Sequence, residues 1–188
     1  MAAAPARAKR ADAVRNRERV VAAAEAVLAE RGLDATVPEI AAAAGVGKGT
    51  VYRSFPTKEH LVAAIACRHL DAFAAACDEA ARAADPVAAL TELLVDGFRR
   101  KGTNRLVAGA MAAAAQVPEL VEARAAVAAA LERVIDAGRA SGALRADARA
   151  DDVRVLLAGI SHVLVERDER DGDVWGRYAE LAVAALRA

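Results

Sequence analysis

The chain has 188 residues, 26 of them basic and 26 acidic, and a formal charge of zero excludes a nonspecific polyelectrolyte binder. Apolar residues make up 56% and aromatics 3%, and much of the apolar share is alanine, the strongest helix former. The expectation is therefore an all-α protein of closely packed helices, long enough for one large domain or two small ones.

Residues 1–13, MAAAPARAKRADA, are alanine, proline and basic side chains, read as a flexible arm. Arg7, Lys9, Arg10, Arg15 and Arg17 can reach phosphates or a minor groove from here, as basic arms do. The N-terminus lacks a leucine-rich stretch and no run of about 18 uninterrupted apolar residues follows, so neither a secretion signal nor a membrane span is expected, and a cytoplasmic location is. From Val14 to Arg31, Val20, Ala24, Val27 and Leu28 form one helical stripe, which Gly32 closes.

Residues 36–56, TVPEIAAAAGVGKGTVYRSFP, carry the densest signals. Thr36 followed by Glu39 is a reciprocal capping pair, and Pro38 sits in the first turn, where its missing N–H costs nothing. Ile40, Ala41 and Ala44 mark one face of a short helix, and Gly45 suits a left-handed turn at its end. In the next helix Val51 and Phe55 lie four apart and share an inward face. At about 100° per residue, Gly49 and Arg53 then point outward with Thr50 and Tyr52 on the flanks and Lys48 near the N-terminus. Such a face suits a DNA major groove: glycine permits close approach, Arg can read guanine, and hydroxyls bind phosphate or base edges. Lys58 adds charge at the start of the following helix. Residues 1–60 hold 10 basic and 7 acidic side chains, leaving 16 and 19 for the rest, so the positive end coincides with this segment.

The run Thr36, Ile40, Ala41, Ala44-Gly45-Val46, Gly49-Thr50-Val51-Tyr52, Phe55, Lys58-Glu59 and Leu61 resembles the N-terminal domain of the TetR family of transcriptional regulators, over about residues 15–65. Gly47-Lys48 departs from the family pattern, where serine is common, and Arg53 stands where histidine or tyrosine often occurs, so the operator sequence cannot be inferred. The DNA-binding candidates are Thr36, Lys48, Gly49, Thr50, Tyr52, Arg53 and Lys58. The resemblance implies a helix-turn-helix domain at 14–60, the third of whose helices enters the duplex, and a helical ligand-binding and dimerisation domain at 61–188, with about nine helices in all.

Thr57 can cap a long fourth helix to about Ala84, with Leu61, Ile65 and Ala72 on one stripe and Val62, Ala66, His69, Phe73 and Cys77 on another. His69 is expected as a hydrogen-bonded core or pocket residue; His60, nine residues away on the opposite side, cannot share a metal with it. Cys67 and Cys77 are separated by about 15 Å along the same helix, too far to bridge. Asp85-Pro86 opens a helix to about Lys101 with Leu90, Leu93, Leu94 and Phe98 inside. A short helix is expected over 105–115, a longer one from Pro118 to about Gly138, and a loop over 139–150.

The last two helices, from about Asp151 and over 173–187, are apolar over more than one face. Val153, Leu156, Leu157, Ile160 and Leu164 oppose Val155 and Val163; Val174, Tyr178, Leu181 and Ala185 adjoin a second stripe of Trp175, Ala182 and Leu186. This excess points to a helix–helix dimer interface, which the resemblance implies as a four-helix bundle. A dimer places two recognition helices about 34 Å apart, on successive major grooves of a palindromic operator.

An effector site is expected by analogy among the helices after residue 57, with Leu94, Phe98, Met111 and His162 as candidate lining and an apolar or flat small molecule as ligand. His162 and Glu166 share a helical face, but two ligands do not make a metal site. No nucleophile–base arrangement and no phosphate-cradling loop is evident, so no enzyme, cofactor or metal is expected. The sequence thus reads as a homodimeric repressor released from double-stranded DNA by a small-molecule effector; the rival is a helical ligand-binding or scaffolding protein without operator recognition.

Overall fold

The computed structural model describes the backbone at residues 4–103, 109 and 114–188, and side chains from residue 12 onward with the exception of Thr103. Eight α-helices occupy the described residues: α1 (Ala4–Arg31), α2 (Val37–Ala43), α3 (Lys48–Ser54), α4 (Lys58–Ala80), α5 (Pro86–Thr103), α6 (Pro118–Ala140), α7 (Ala150–Glu166) and α8 (Gly172–Ala184). The helix expected at 105–115 falls largely outside them. The chain divides into two units, one of Met1–Arg68 with Leu106–Leu120 and one of His69–Arg105 with Val121–Ala188. The boundary falls inside α4.

In the first unit, α1 begins at Ala4 rather than near Val14, so the backbone read as an arm is helical from residue 4 on. Alanine at 4, 6, 8, 11 and 13 explains this: its low cost in a helix outweighs the polarity that argued for a tail. Val20, Ala24 and Leu28 of α1, Val37, Ile40 and Ala41 of α2, Val51 of α3 and Leu61, Val62 and Ile65 of α4 are all buried, and α1, α2 and α3 pack against one another. The helix starts and stops are the local chemistry of the side chains. Thr36 and Glu39 complete both halves of the capping box, and a left-handed Gly45 (φ +65°) turns the chain. The amides of Gly45 and Val46 then return to the carbonyls of Ala42 and Ala41 at 3.1 and 3.0 Å, so the last turn of α2 keeps its acceptors satisfied.

Two arginines of α1 tie the motif down from outside. Arg19 donates to the Ala44 carbonyl at 2.8 Å, at the C-terminal end of α2. Arg17 donates to the Ser54 carbonyl at 3.4 Å and lies over the Phe55 ring, 4.2 Å from its centroid. A cation at a helix C-terminus is favoured by both the free carbonyls and the helix dipole. Arg17, expected to reach phosphate, stays exposed but makes both of these contacts within the first unit.

The second unit has its own core, drawn from Cys77 and Ala80 of α4, Val87, Leu90, Leu94 and Phe98 of α5, Leu131, Val134 and Ile135 of α6, and Trp175, Ala179 and Val183 of α8. Asp85 caps α5 by accepting the Ala88 amide at 2.9 Å. Phe98 and Trp175 meet with ring centroids 5.8 Å apart. Gly102 makes that possible: a Cβ there would stand 2.5 Å from the indole, so α5 and α8 approach only because the side chain is missing. The indole N–H donates to the Glu169 carbonyl at 3.1 Å, leaving no buried donor unmatched at this ring.

Among the described residues α4 alone has the length and hydropathy of a membrane span. A third of that stretch is buried in packing, with Leu61, Val62, Ile65 and Ala66 sealed in the first unit and Cys77 and Ala80 in the second. His69, expected as a hydrogen-bonded core or pocket residue, is exposed. Neither Cys67 nor Cys77 is in a disulfide, and burial foremost, with the neighbouring Asp78 carboxylate, pushes the Cys77 thiol up to about 12.

Candidate nucleic-acid interface

Helix α3 is only seven residues long, and its two faces differ completely. Val51 and Phe55 are sealed, at 1% and 2% exposure. On the opposite side Lys48, Gly49, Tyr52 and Arg53 are exposed and Thr50 is half-buried. Tyr52 keeps 49% of its surface in solvent. The Arg53 guanidinium donates to the Thr50 hydroxyl at 3.3 Å, so two of the candidate residues already form one polar patch. A Cβ at Gly49 would meet nothing within 4 Å, so no packing requires the missing side chain there.

Two other sequence candidates are engaged elsewhere. The Thr36 hydroxyl accepts the Glu39 amide and donates to its carboxylate at 2.9 Å. The Lys58 ammonium donates to the Leu33 carbonyl in the turn after α1. Each caps backbone or side chain within its own unit, a local use that a spacing pattern does not distinguish from a contact with DNA. Glu39 is held below its usual pKa, chiefly by the Thr36 amide and hydroxyl, with Arg31 assisting.

The effector candidates are separated by the structure. Leu94 and Phe98 belong to the buried core of the second unit. His162 stands on the outside of α7, its side chain 75% exposed and its Nε2 3.4 Å from the Glu166 carboxylate, because it is the adjacent Ser161 that points inward. Met111 lies outside the described residues. An open groove of about 460 Å³ between α4 and α5 includes Ala80, Ala89 and Leu93, with the carboxylates of Glu79, Glu92 and Asp96 around it; it contains none of the expected residues. Among the described residues no group of three or more His, Cys, Asp or Glu side chains is arranged to hold a metal ion.

Sequence reasoning missed the two arginines that hold the motif, Arg19 altogether and Arg17 in its role, and also the pairing of Lys101 with Ser161, whose Nζ and Oγ are 2.8 Å apart. Sixty positions separate the latter pair, and neither residue belongs to a recognisable motif.

Comparison with known proteins agrees with this geometry. The family model described as bacterial regulatory proteins, tetR family, matches residues 20–65, a span that contains α2 and α3. No curated protein sequence matches the chain. Among solved structures, SmeT, the repressor of the Stenotrophomonas maltophilia multidrug efflux pump SmeDEF, is 26% identical with a TM-score of 0.70, over 92% of this chain and 90% of that one. The SmeT–triclosan complex is similar at 26% identity and a TM-score of 0.66, over 92% of each chain. The TetR transcriptional regulator SCO0520 from Streptomyces coelicolor is 32% identical with a TM-score of 0.65, over 91% of this chain and 98% of that one. A relative matched at that identity along nearly its whole length, together with the family motif on a helix-turn-helix of the right geometry, establishes that this chain belongs to the TetR family of bacterial transcriptional regulators.

Proposed function

We propose that the protein is a homodimeric repressor that reads a palindromic operator with α3 and is released from it by a small-molecule effector. The observation that carries the reading is the outward face of α3, where Lys48, Gly49, Tyr52 and Arg53 stand exposed behind a sealed Val51 and Phe55. In this reading residues 14–60 read the duplex, the basic residues of 1–13 supplement phosphate contacts, and 61–188 hold the effector and the second subunit. The protein acts in the cytoplasm, on the chromosome, and carries out no catalysis.

Dimerisation through the last two helices is supported by the apolar side chains they leave in solvent. Val155, Leu156, Val163 and Val165 of α7 and Leu181 of α8 are between 37% and 63% exposed. Isolated exposed apolar residues need no explanation, but five on two consecutive helices form a surface that a second copy would cover. One short helix reads few base pairs, and a symmetric pair supplies the second half-site about 34 Å away.

Effector control is supported by SmeT, a repressor whose structure with triclosan is similar to this chain. An effector that binds one spacing of the two reading helices better than the other weakens DNA binding by linkage alone. Thr36 and Lys58 join the interface in this proposal only if they leave their present partners, which assigns them a smaller share than Tyr52 and Arg53.

Fluorescence anisotropy with the DNA upstream of the protein's own gene tests the proposal. Binding falls steeply with salt because counterions are released from the phosphates. Tyr52→Ala weakens all sequences alike, as a phosphate contact does, whereas Arg53→Ala loses about 1–3 kcal/mol at particular base pairs and relaxes preference there. Wild-type affinity in both variants would remove α3 from the interface and favour a ligand-binding or scaffolding protein of the same fold.

A further inference from the structure

Helix α3 has few means of fixing its own direction. It is seven residues long, and Gly47 at its start has no side chain to cap it, whereas α2 opens on the Thr36–Glu39 capping box. A helix this short is not stable alone, so the face it turns to a duplex depends on what holds its ends. The sealed side chains of Val51 and Phe55 keep it against the core, but apolar burial is non-directional.

Polar ties come from α1. At the C-terminal end of α3, Arg17 reaches the Ser54 carbonyl at 3.4 Å and lies over the Phe55 ring. At the turn before α3 the tie is shorter: Arg19 Nη2 donates to the carbonyl of Ala44, the C-cap of α2, at 2.8 Å. The next residue is the left-handed Gly45, where a Cβ would stand 3.3 Å from the same Nη2. The guanidinium therefore rests against the peptide at which the chain changes direction. Its other end is steadied within α1, where the Asn16 Oδ1 accepts from Nη1 at 3.4 Å. The amides of Gly45 and Val46 are spent on Ala42 and Ala41, and the Ala44 carbonyl is the group of this turn that reaches α1.

We propose that Arg19 is a positioning residue for operator reading: by tying the Ala44 peptide to α1 it sets the direction in which α3 leaves the turn, and so the register of Tyr52 and Arg53 on the base pairs. This role rests on the reading of α3 as the DNA-contacting helix, and gives Arg19 no contact with DNA itself. Base-edge hydrogen bonds weaken once donor and acceptor part beyond about 3.2 Å, whereas attraction to the phosphates is long-ranged and tolerates a tilt. Loss of the tie therefore costs selectivity before it costs general affinity.

Anisotropy of the full-length protein over a range of salt makes the test, with the duplex that the wild type selects from a random-sequence pool and a scrambled duplex of the same composition. Arg19→Met is expected to lose roughly fivefold or more on the selected duplex and less than about twofold on the scrambled one, with an unchanged salt slope. Arg19→Lys, which keeps a cationic donor, retains most of the selectivity. Without DNA, amide hydrogen exchange over residues 45–48 is faster in Arg19→Met than in wild type, both being fully folded by circular dichroism. Should Arg19→Met fail to fold, Arg19→Gln replaces it. Equal losses on both duplexes with a salt slope smaller by about one would make Arg19 a phosphate contact and overturn the proposal. Full selectivity in folded Arg19→Met, or unchanged exchange at the turn, would overturn it as well while leaving α3 as the reading helix. A wild type that selects no sequence would instead sink the DNA-reading assignment, and this role with it.

Discussion

Gly49 separates the two demands on α3 most cleanly. Glycine inside a helix costs about 1 kcal/mol relative to alanine, and the space around Gly49 is open, so folding alone gives no reason for its presence. Gly49→Ala is therefore expected to leave stability unchanged or raise it by up to about 1 kcal/mol, while operator affinity falls because the added methyl holds the backbone off the groove. Chemical denaturation and anisotropy on the same preparation check both halves; a variant that binds as well as the wild type would deny close approach at this point. Cys77 gives a residue-scale prediction of a different kind. With its thiol at about 12 and fully buried, it carries almost no thiolate at neutral pH, so iodoacetamide at pH 8 modifies the native protein only at Cys67. Native alkylation of Cys77, located by mass spectrometry, would mean that this core opens.

Helix boundaries were legible where a side chain acts on its own backbone. Thr36 with Glu39, Gly45 after Ala44 and Asp85 before Pro86 all behave as their spacing required, because capping is decided within four residues. The start of α1 was not legible, since basic residues among alanines suit a solvated arm and an exposed helix equally. Long side chains were the least legible. Arg17, Arg19 and Lys58 each satisfy a carbonyl 25 or more positions away, and His162 and His69 lie on stripes whose sequence cannot say which neighbour covers them. The α2 cap carries a pH prediction. Glu39 has its pKa lowered below 4.5 by Thr36 and Arg31, so the carboxylate contributes stability above its unfolded-state value and loses it as the pH falls through the folded one. Wild type is expected to exceed Glu39→Gln in urea midpoint at pH 7, and the difference is expected to vanish well below pH 4.5. A difference that persists in acid would locate the effect in something other than the ionised cap.

At the scale of the whole molecule the claim is symmetry. The fold class and the helix-turn-helix of α2 and α3 could be taken from the sequence because alanine content and a dense motif specify them locally. Which apolar face stays uncovered could be anticipated only as an excess, and the structure resolves it to Val155, Leu156, Val163, Val165 and Leu181. Leu181→Glu places a charge on that surface without touching the core. It is expected to convert the dimer to monomers in sedimentation while leaving thermal unfolding of the subunit cooperative, and to weaken operator binding by more than any single α3 substitution, because half-site binding loses the second reading helix. A Leu181→Glu protein that still sediments as a dimer would move the interface elsewhere.

Footprinting of the purified protein on genomic DNA addresses the central claim most directly. The account predicts protection of a site with two-fold related halves centred about 10 bp or a multiple of that apart, with Arg53→Ala blurring preference within each half. Uniform, sequence-independent protection, or none, would contradict it.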